Sequence, residues 1–101
     1  MEQLMAAYVL VDVEITNQEA YEKYREVAYP VINAFGGKYL VRGGATEVIE
    51  GDWSFDRLII VEFESVERAR QWYYSPEYRP AIDVIEKYAR RKLAIVEGVA
   101  E

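Results

Sequence analysis

Three features of the sequence predict an α+β fold: apolar alternation near both ends and again at residues 57–63, helical apolar stripes between these stretches, and Gly- or Ser-led breaks separating them. The order is β-α-β-β-α-β, the ferredoxin-like arrangement of an antiparallel sheet with helices on one face. At 101 residues the chain fits one domain, residues 1–101, with a core over about 7–99.

Residues 7–15, AYVLVDVEI, alternate and are rich in β-branched side chains, so they form the first strand. In TNQE, Thr16 and Glu19 have capping-box spacing and start a helix. Its expected buried stripe is Ala20, Tyr24, Val27, Ala28, Val31 and Phe35; Gly36 and Gly37 stop it, and Pro30 predicts a kink or break. KYLVR (38–42) and ATEVIE (45–50) are strand-like, and residues 45–63 form an expected hairpin around the loop GDWSFD. RLIIVEF (57–63) is the clearest strand. Ser65 caps a helix containing Ala69, Trp72 and Tyr73, and Ser75 with Pro76 restarts helix through Ala81, Ile82, Ile85 and Ala89. KLAIVEG (92–98) is the last strand.

Strand parity assigns faces. Val9, Val11, Val13 and Ile15, then Ile59, Val61 and Phe63, then Ala94 and Val96 are wholly apolar and belong under the helices. The opposite face carries Leu10, Leu58, Ile60, Leu93 and Ile95 beside Asp12, Glu62 and Glu97. Two helices cover one face only, so this second apolar face predicts a homodimer with sheets packed face to face, burying on the order of 800 Å² per protomer. Acids enclosed there need a counter-charge. Arg42, sharing parity with Leu40, is the expected partner of Glu62 and Asp12, as a buried ion pair or a catalytic one.

Composition removes whole classes of function. Hydrophobic residues make up 51% and charged residues 30%, as in an ordered globular protein. A net charge of −6 and a pI near 4.7 argue against nucleic acid and anionic membrane as partners. ARRK (89–92) reads as a solvated, dipole-compatible helix end. Met1–Ala6 lacks the pattern of a signal peptide and no apolar run is long enough to span a bilayer, so a cytoplasmic protein is expected. With neither Cys nor His in the sequence, disulfides, thiolate metal sites, histidine bases and histidine-ligated haem are excluded. No metal site and no cofactor are implied.

The stretch VRGGATEVIEGDW (41–53) contains no phosphate-loop motif and leads into a strand, so Gly43 and Gly44 fit a bend better than an anion nest. Tyr21, Tyr24, Trp72 and Tyr73 have the spacing of core aromatics but also suit a pocket wall, Tyr24 above all.

GGKYLVRGG, EVIEGDW, RLIIVEF, ARQWYYSPEY and the terminal VEG, in this order from about Tyr8 to Val99, resemble the domain of unknown function 1330 family of the dimeric α/β-barrel superfamily. The resemblance implies a ferredoxin-like protomer and a dimer with face-to-face sheets, and no reaction. Wider relatives resemble cofactor-independent oxygenases of quinol-type substrates, lactone isomerases and haem-binding enzymes; the histidine of the last group is absent here.

Two readings follow. In the first, a pocket between sheet and helices or at the dimer interface takes a small aromatic or carbonyl compound for cofactor-independent oxygenation or isomerisation. Arg42 orients an anionic or carbonyl group, Glu62 or Asp12 moves a proton, and Tyr24, Trp72 and Tyr73 bind substrate. In the second, the chain is a non-catalytic dimeric structural or interaction module, with no cavity of roughly 300 Å³ or more near Arg42.

Overall fold

The protein is described as a computed structural model covering residues 5–100. Strand β1 (Ala7–Ile15) leads into helix α1 (Gln18–Ala34), followed by β2 (Lys38–Arg42), β3 (Leu58–Phe63), α2 (Val66–Tyr73), α3 (Arg79–Tyr88) and β4 (Ala89–Glu97). The four strands form one antiparallel sheet in the order β2-β3-β1-β4, with the second helical segment divided in two. The predicted ferredoxin-like α+β architecture is thus the observed one. Of the segment expected to lack a leader pattern, residues 1–4 lie outside the described residues.

Helix α1 starts one residue later than the capping box predicts. The Asn17 side chain accepts from the Ala20 N–H at 3.1 Å, while the Thr16 hydroxyl donates instead to the Tyr88 carbonyl at 2.6 Å. The helix continues through Pro30 without a break. At its end, Gly36 adopts φ +82°; the Gly37 N–H reaches the Ile32 carbonyl at 2.9 Å and the Gly36 N–H the Asn33 carbonyl at 3.0 Å. This is the Schellman arrangement, which places a left-handed residue after the cap and satisfies two otherwise orphaned carbonyls. The buried face is Tyr21, Tyr24, Ala28 and Ile32, rotated from the expected stripe: Val27 is exposed and Val31 and Phe35 are half-buried.

No strand forms at residues 45–50; residues 43–57 are a long connection between β2 and β3, with Ile49 and Trp53 largely in water. Gly43 makes the bend, at φ +75°. Ser65 caps α2 as predicted, accepting from the Arg68 N–H at 3.0 Å. Ser75 instead closes a turn before α3. Its hydroxyl donates to the Trp72 carbonyl at 2.8 Å and accepts from the Tyr78 N–H at 3.1 Å, so the helix begins at Arg79.

The core lies between helices and sheet and contains Val9, Val11, Val13, Ile59, Val61 and Phe63, as parity predicts. The expectation for β4 is reversed. Its register sets Ile95 against Val9, Leu93 against Val11 and Arg91 against Val13, so these three face the helices, whereas Ala94 and Val96 lie on the outer face with Leu10 and Tyr8. Glu97 ends the Leu93–Ile95 list and suggests the outer face, but it sits opposite Ala7 at the last position of the strand; the larger aliphatic pair takes the core side, where there is more volume to fill.

Candidate functional site

β2 carries a register shift between Tyr39 and Val41 that decides where Arg42 goes. Before the shift, Lys38 pairs with Glu62 on the outer face and Tyr39 with Val61 on the core face; after it, Arg42 pairs with Ile59 on the core face. The expected Arg42–Glu62–Asp12 cluster therefore does not form. The Arg42 guanidinium lies 5.2 Å from the centres of both the Tyr29 and Tyr39 rings. Glu62 lies on the outer face opposite Lys38 and Tyr8. Asp12 pairs with Leu58, four ladder steps from Glu62, and its carboxylate accepts from the Asp56 and Arg57 N–H groups at 2.9 and 3.2 Å. It anchors the end of the long connection from the outer face of the sheet.

The side chains brought together are different ones. Tyr24 on α1 and Tyr78 in the turn before α3 place their hydroxyl oxygens 2.7 Å apart. Arg91 of β4, on the core face, donates through Nη1 to Tyr24 at 3.2 Å and to Tyr78 at 3.1 Å. Both phenols are buried, Tyr78 completely. Trp72 stacks beside this cluster, 4.5 Å from the Tyr78 ring, and its buried indole Nε1 has no hydrogen-bond partner. Tyr21 stacks on Tyr24 at 5.6 Å.

Burial, then the facing Tyr78 oxygen, raises the Tyr24 pKa well above its ordinary 10.0, with Arg91 opposing. Burial works against the Arg91 charge, yet the oxygens of Tyr78 and Tyr24 outweigh it and the guanidinium titrates above its usual value. Near neutral pH Arg91 is therefore a cation beside a Tyr24 phenol that keeps its proton. Two phenols supply two O–H donors and one is spent between them, leaving one hydroxyl hydrogen beside a guanidinium. Such a pair donates hydrogen bonds and stabilises an oxyanion; it is a poor base.

A cavity of about 20 Å³ lies here, with Tyr21, Tyr24, Tyr29, Tyr39, Trp72 and Arg91 in its wall. It has room for about one water molecule, so the ligand-sized chamber of the first reading is not preformed. Of the expected binding residues, Tyr24 and Trp72 line this space. Tyr73 does not: it packs on the rings of Trp72, Tyr74 and Tyr78 and faces a surface groove with Arg70, Leu93 and Ile95. Sequence reasoning missed Tyr78 and Arg91, one read as part of a helix start and the other as part of a solvated basic run. The alternation of Arg91 with Leu93 and Ile95 was the signal for Arg91. Among the described residues, no group of acids that could hold a metal is present, and no helix is long and apolar enough to cross a membrane.

Comparison with solved structures supports the fold. The RPA0582 protein of unknown function from Rhodopseudomonas palustris is 22% identical with a TM-score of 0.74, over 98% of this chain and 86% of that one. SnoaB, a cofactor-independent oxygenase from Streptomyces nogalater, is 9% identical with a TM-score of 0.59, over 99% and 97%. A dimeric ferredoxin-like protein of unknown function from Thermobifida fusca is 9% identical with a TM-score of 0.56, over 96% and 94%. No curated protein matches the sequence. The model of the domain of unknown function DUF1330 matches residues 6–99, nearly the whole chain, and the protein belongs to that family.

Proposed function

We propose that this protein binds a small ionisable aromatic or enolic compound in the space beneath its helices, holding the ligand oxygen at Tyr24, Tyr78 and Arg91, and that it does so as a homodimer. The observation that carries this reading is the Arg91 guanidinium. Placing a charge among core side chains without a carboxylate is costly, and an aliphatic residue at this position would fill the same volume more stably. Two phenols compensate in part and leave one O–H to spare. An arginine kept there at that cost is suited to a ligand anion.

With no carboxylate in the cavity wall, the substrate must surrender its own proton to water. The chain then contributes oxyanion stabilisation, an aromatic enclosure and exclusion of solvent. Reactions open to a delocalised anion so held are isomerisation and direct reaction with O₂. In the latter, one oxygen atom enters the product at a conjugated CH₂ carbon, making a carbonyl, and the other leaves as water with the two hydrogens. The fold shared with a cofactor-independent oxygenase supports this class by analogy alone.

Homodimer formation rests on the outer sheet face. Leu10, Leu40 and Val96 there are 36%, 46% and 47% exposed, with Ile60 and Leu58 half-buried between them. The register sets Lys38 opposite Glu62, Lys92 opposite Asp12 and Arg90 opposite Glu14, so unlike charges face each other across neighbouring strands of the same protomer and two apolar centres can meet without repulsion.

The dye p-nitrophenol tests the oxygen site because its ionisation is visible. Saturating protein is expected to lower the midpoint of dye ionisation by about one pH unit, since a guanidinium and a phenolic O–H favour the anion. Arg91→Met and Tyr78→Phe are expected to abolish the shift. An unshifted midpoint, or no binding, counts against the proposal. It would favour a non-catalytic dimeric module, the reading to which the small size of the cavity lends support.

A further inference from the structure

The geometry points to an anion-recognition site on one side of this cavity, formed by Arg25, Arg42 and Arg57 around Tyr21, Tyr29 and Tyr39, that takes the carboxylate of an aromatic acid. It deepens the function proposed above, by naming the second pole of the ligand, and rests on the cavity being a ligand site.

The three tyrosine rings belong to the cavity wall, and each carries an arginine. Arg25 donates through Nε to the Tyr29 hydroxyl at 3.1 Å, with its guanidinium 5.3 Å from that ring centre. Arg42 lies over the rings of Tyr29 and Tyr39. Arg57 lies 5.6 Å from the centre of Tyr21. None of the three has a carboxylate within ion-pair distance: among the described residues the only ion pair joins Arg79 and Asp83, at 3.3 Å. The chain has 18 acidic residues against 12 basic ones, so carboxylates are in excess for any arginine that needs one structurally. Three cations gathered without one, in an acidic protein, are available to a ligand.

Arg57 is held in place for this role. Its N–H is bonded to the Asp12 carboxylate and its carbonyl accepts from the Val13 N–H at 3.0 Å. Its guanidinium packs on Gly43, where an added Cβ would sit 2.6 Å from Cζ, and its buried Nε has no partner. Asp12, expected from the sequence to move a proton, is here a positioning residue for Arg57.

The composition of the site selects the ligand class. Tyrosine rings on the cavity side favour a planar aromatic body. Guanidinium groups exchange a ring face for a carboxylate, which accepts two parallel hydrogen bonds from each fork. A phosphate cradle is disfavoured: the Gly43 N–H is already spent on the Leu58 carbonyl at 2.8 Å, and the glycine pair precedes no helix. Arg42 is exposed and Tyr29 and Tyr39 are half-buried, so on this side the small cavity can widen; a carboxylate that draws Arg42 off the two rings frees them to move.

Calorimetric titration at low salt with 4-hydroxybenzoate and its neutral amide, 4-hydroxybenzamide, separates the two poles. The acid is expected to bind about tenfold more tightly than the amide, and this preference to shrink with added salt. Arg42→Gln, at an exposed position that folding tolerates, and Arg57→Gln, checked by thermal melting, are each expected to remove most of the preference. Equal binding of acid and amide, binding of neither, or a preference that survives both substitutions overturns the inference. Tyr78→Phe keeps the two proposals apart. If it weakens acid and amide by the same factor, both poles stand. If it changes neither while the arginine variants still erase the preference, the anion site stands and the oxygen site falls.

Discussion

Tyr24, Tyr21 and Tyr39 each bury a phenol whose pKa is raised, in every case chiefly by burial; Arg91, Arg57 and Arg42 respectively oppose the rise. In the unfolded chain these phenols ionise near their ordinary 10.0, so above that pH the native state retains protons that the unfolded state has lost. Stability is then full below about pH 10 and falls as pH rises toward the folded values, because the unfolded state binds fewer protons. Urea midpoints measured from about pH 9 to about pH 11 should fall, and Tyr24→Phe should make the decline shallower by removing one of the three groups. A decline of unchanged steepness in the variant would mean that Tyr24 is not buried as a neutral phenol. The same three residues mark what sequence could and could not tell. Tyr24 stood out as a pocket candidate by its place on the α1 stripe, whereas its partner Tyr78 lies 54 positions away in the chain and is joined to it only by tertiary packing.

Helix α1 shows how a short sequence signal can be matched by two neighbouring residues, only one of which caps. Thr16 and Glu19 fit the capping-box pattern, but Asn17 takes the cap because Thr16 is bonded to the end of α3 through the Tyr88 carbonyl, a contact invisible in local sequence. Asn17→Ala is accordingly expected to cost about 1 kcal/mol in denaturant unfolding, as lost caps do. An Asn17→Ala variant as stable as the native protein would reverse the assignment. Element types and order were legible because strand alternation and glycine stops are local properties. Facing was legible in β1 and β3, where the wholly apolar list takes the core side. In β4 the wholly apolar list is the smaller pair, Ala94 and Val96, and the larger Leu93 and Ile95 take the core side despite Glu97; in β2 one irregular position turns Arg42 from the outer face to the core face. These two reversals account for the candidate site: they remove Arg42 from Glu62 and bring Arg91 to Tyr24 and Tyr78.

At the scale of the molecule, the protomer measures 47 × 39 × 16 Å, with a radius of gyration of 14.3 Å against about 13 Å for a compact chain of this length. It is a thin plate. Helices cover one face of its sheet; the other carries aliphatic residues that stay partly in water, and the long β2–β3 connection holds out Ile49 and Trp53, 82% and 70% exposed. Scattered apolar residues need no explanation, but a continuous face flanked by opposed charges does. Pairing two such faces about a two-fold axis brings Ile60 and Leu10, register partners across β1 and β3, toward the same residues of a second copy. Ile60→Glu places a charge on that face without touching the core beneath the helices. Sedimentation is expected to give a dimer for the native sequence at micromolar concentration and a folded monomer for this variant, with circular dichroism unchanged. A native monomer would show that the face is simply solvated. A variant that stays dimeric would move the interface elsewhere, with the exposed connection as the next surface to substitute.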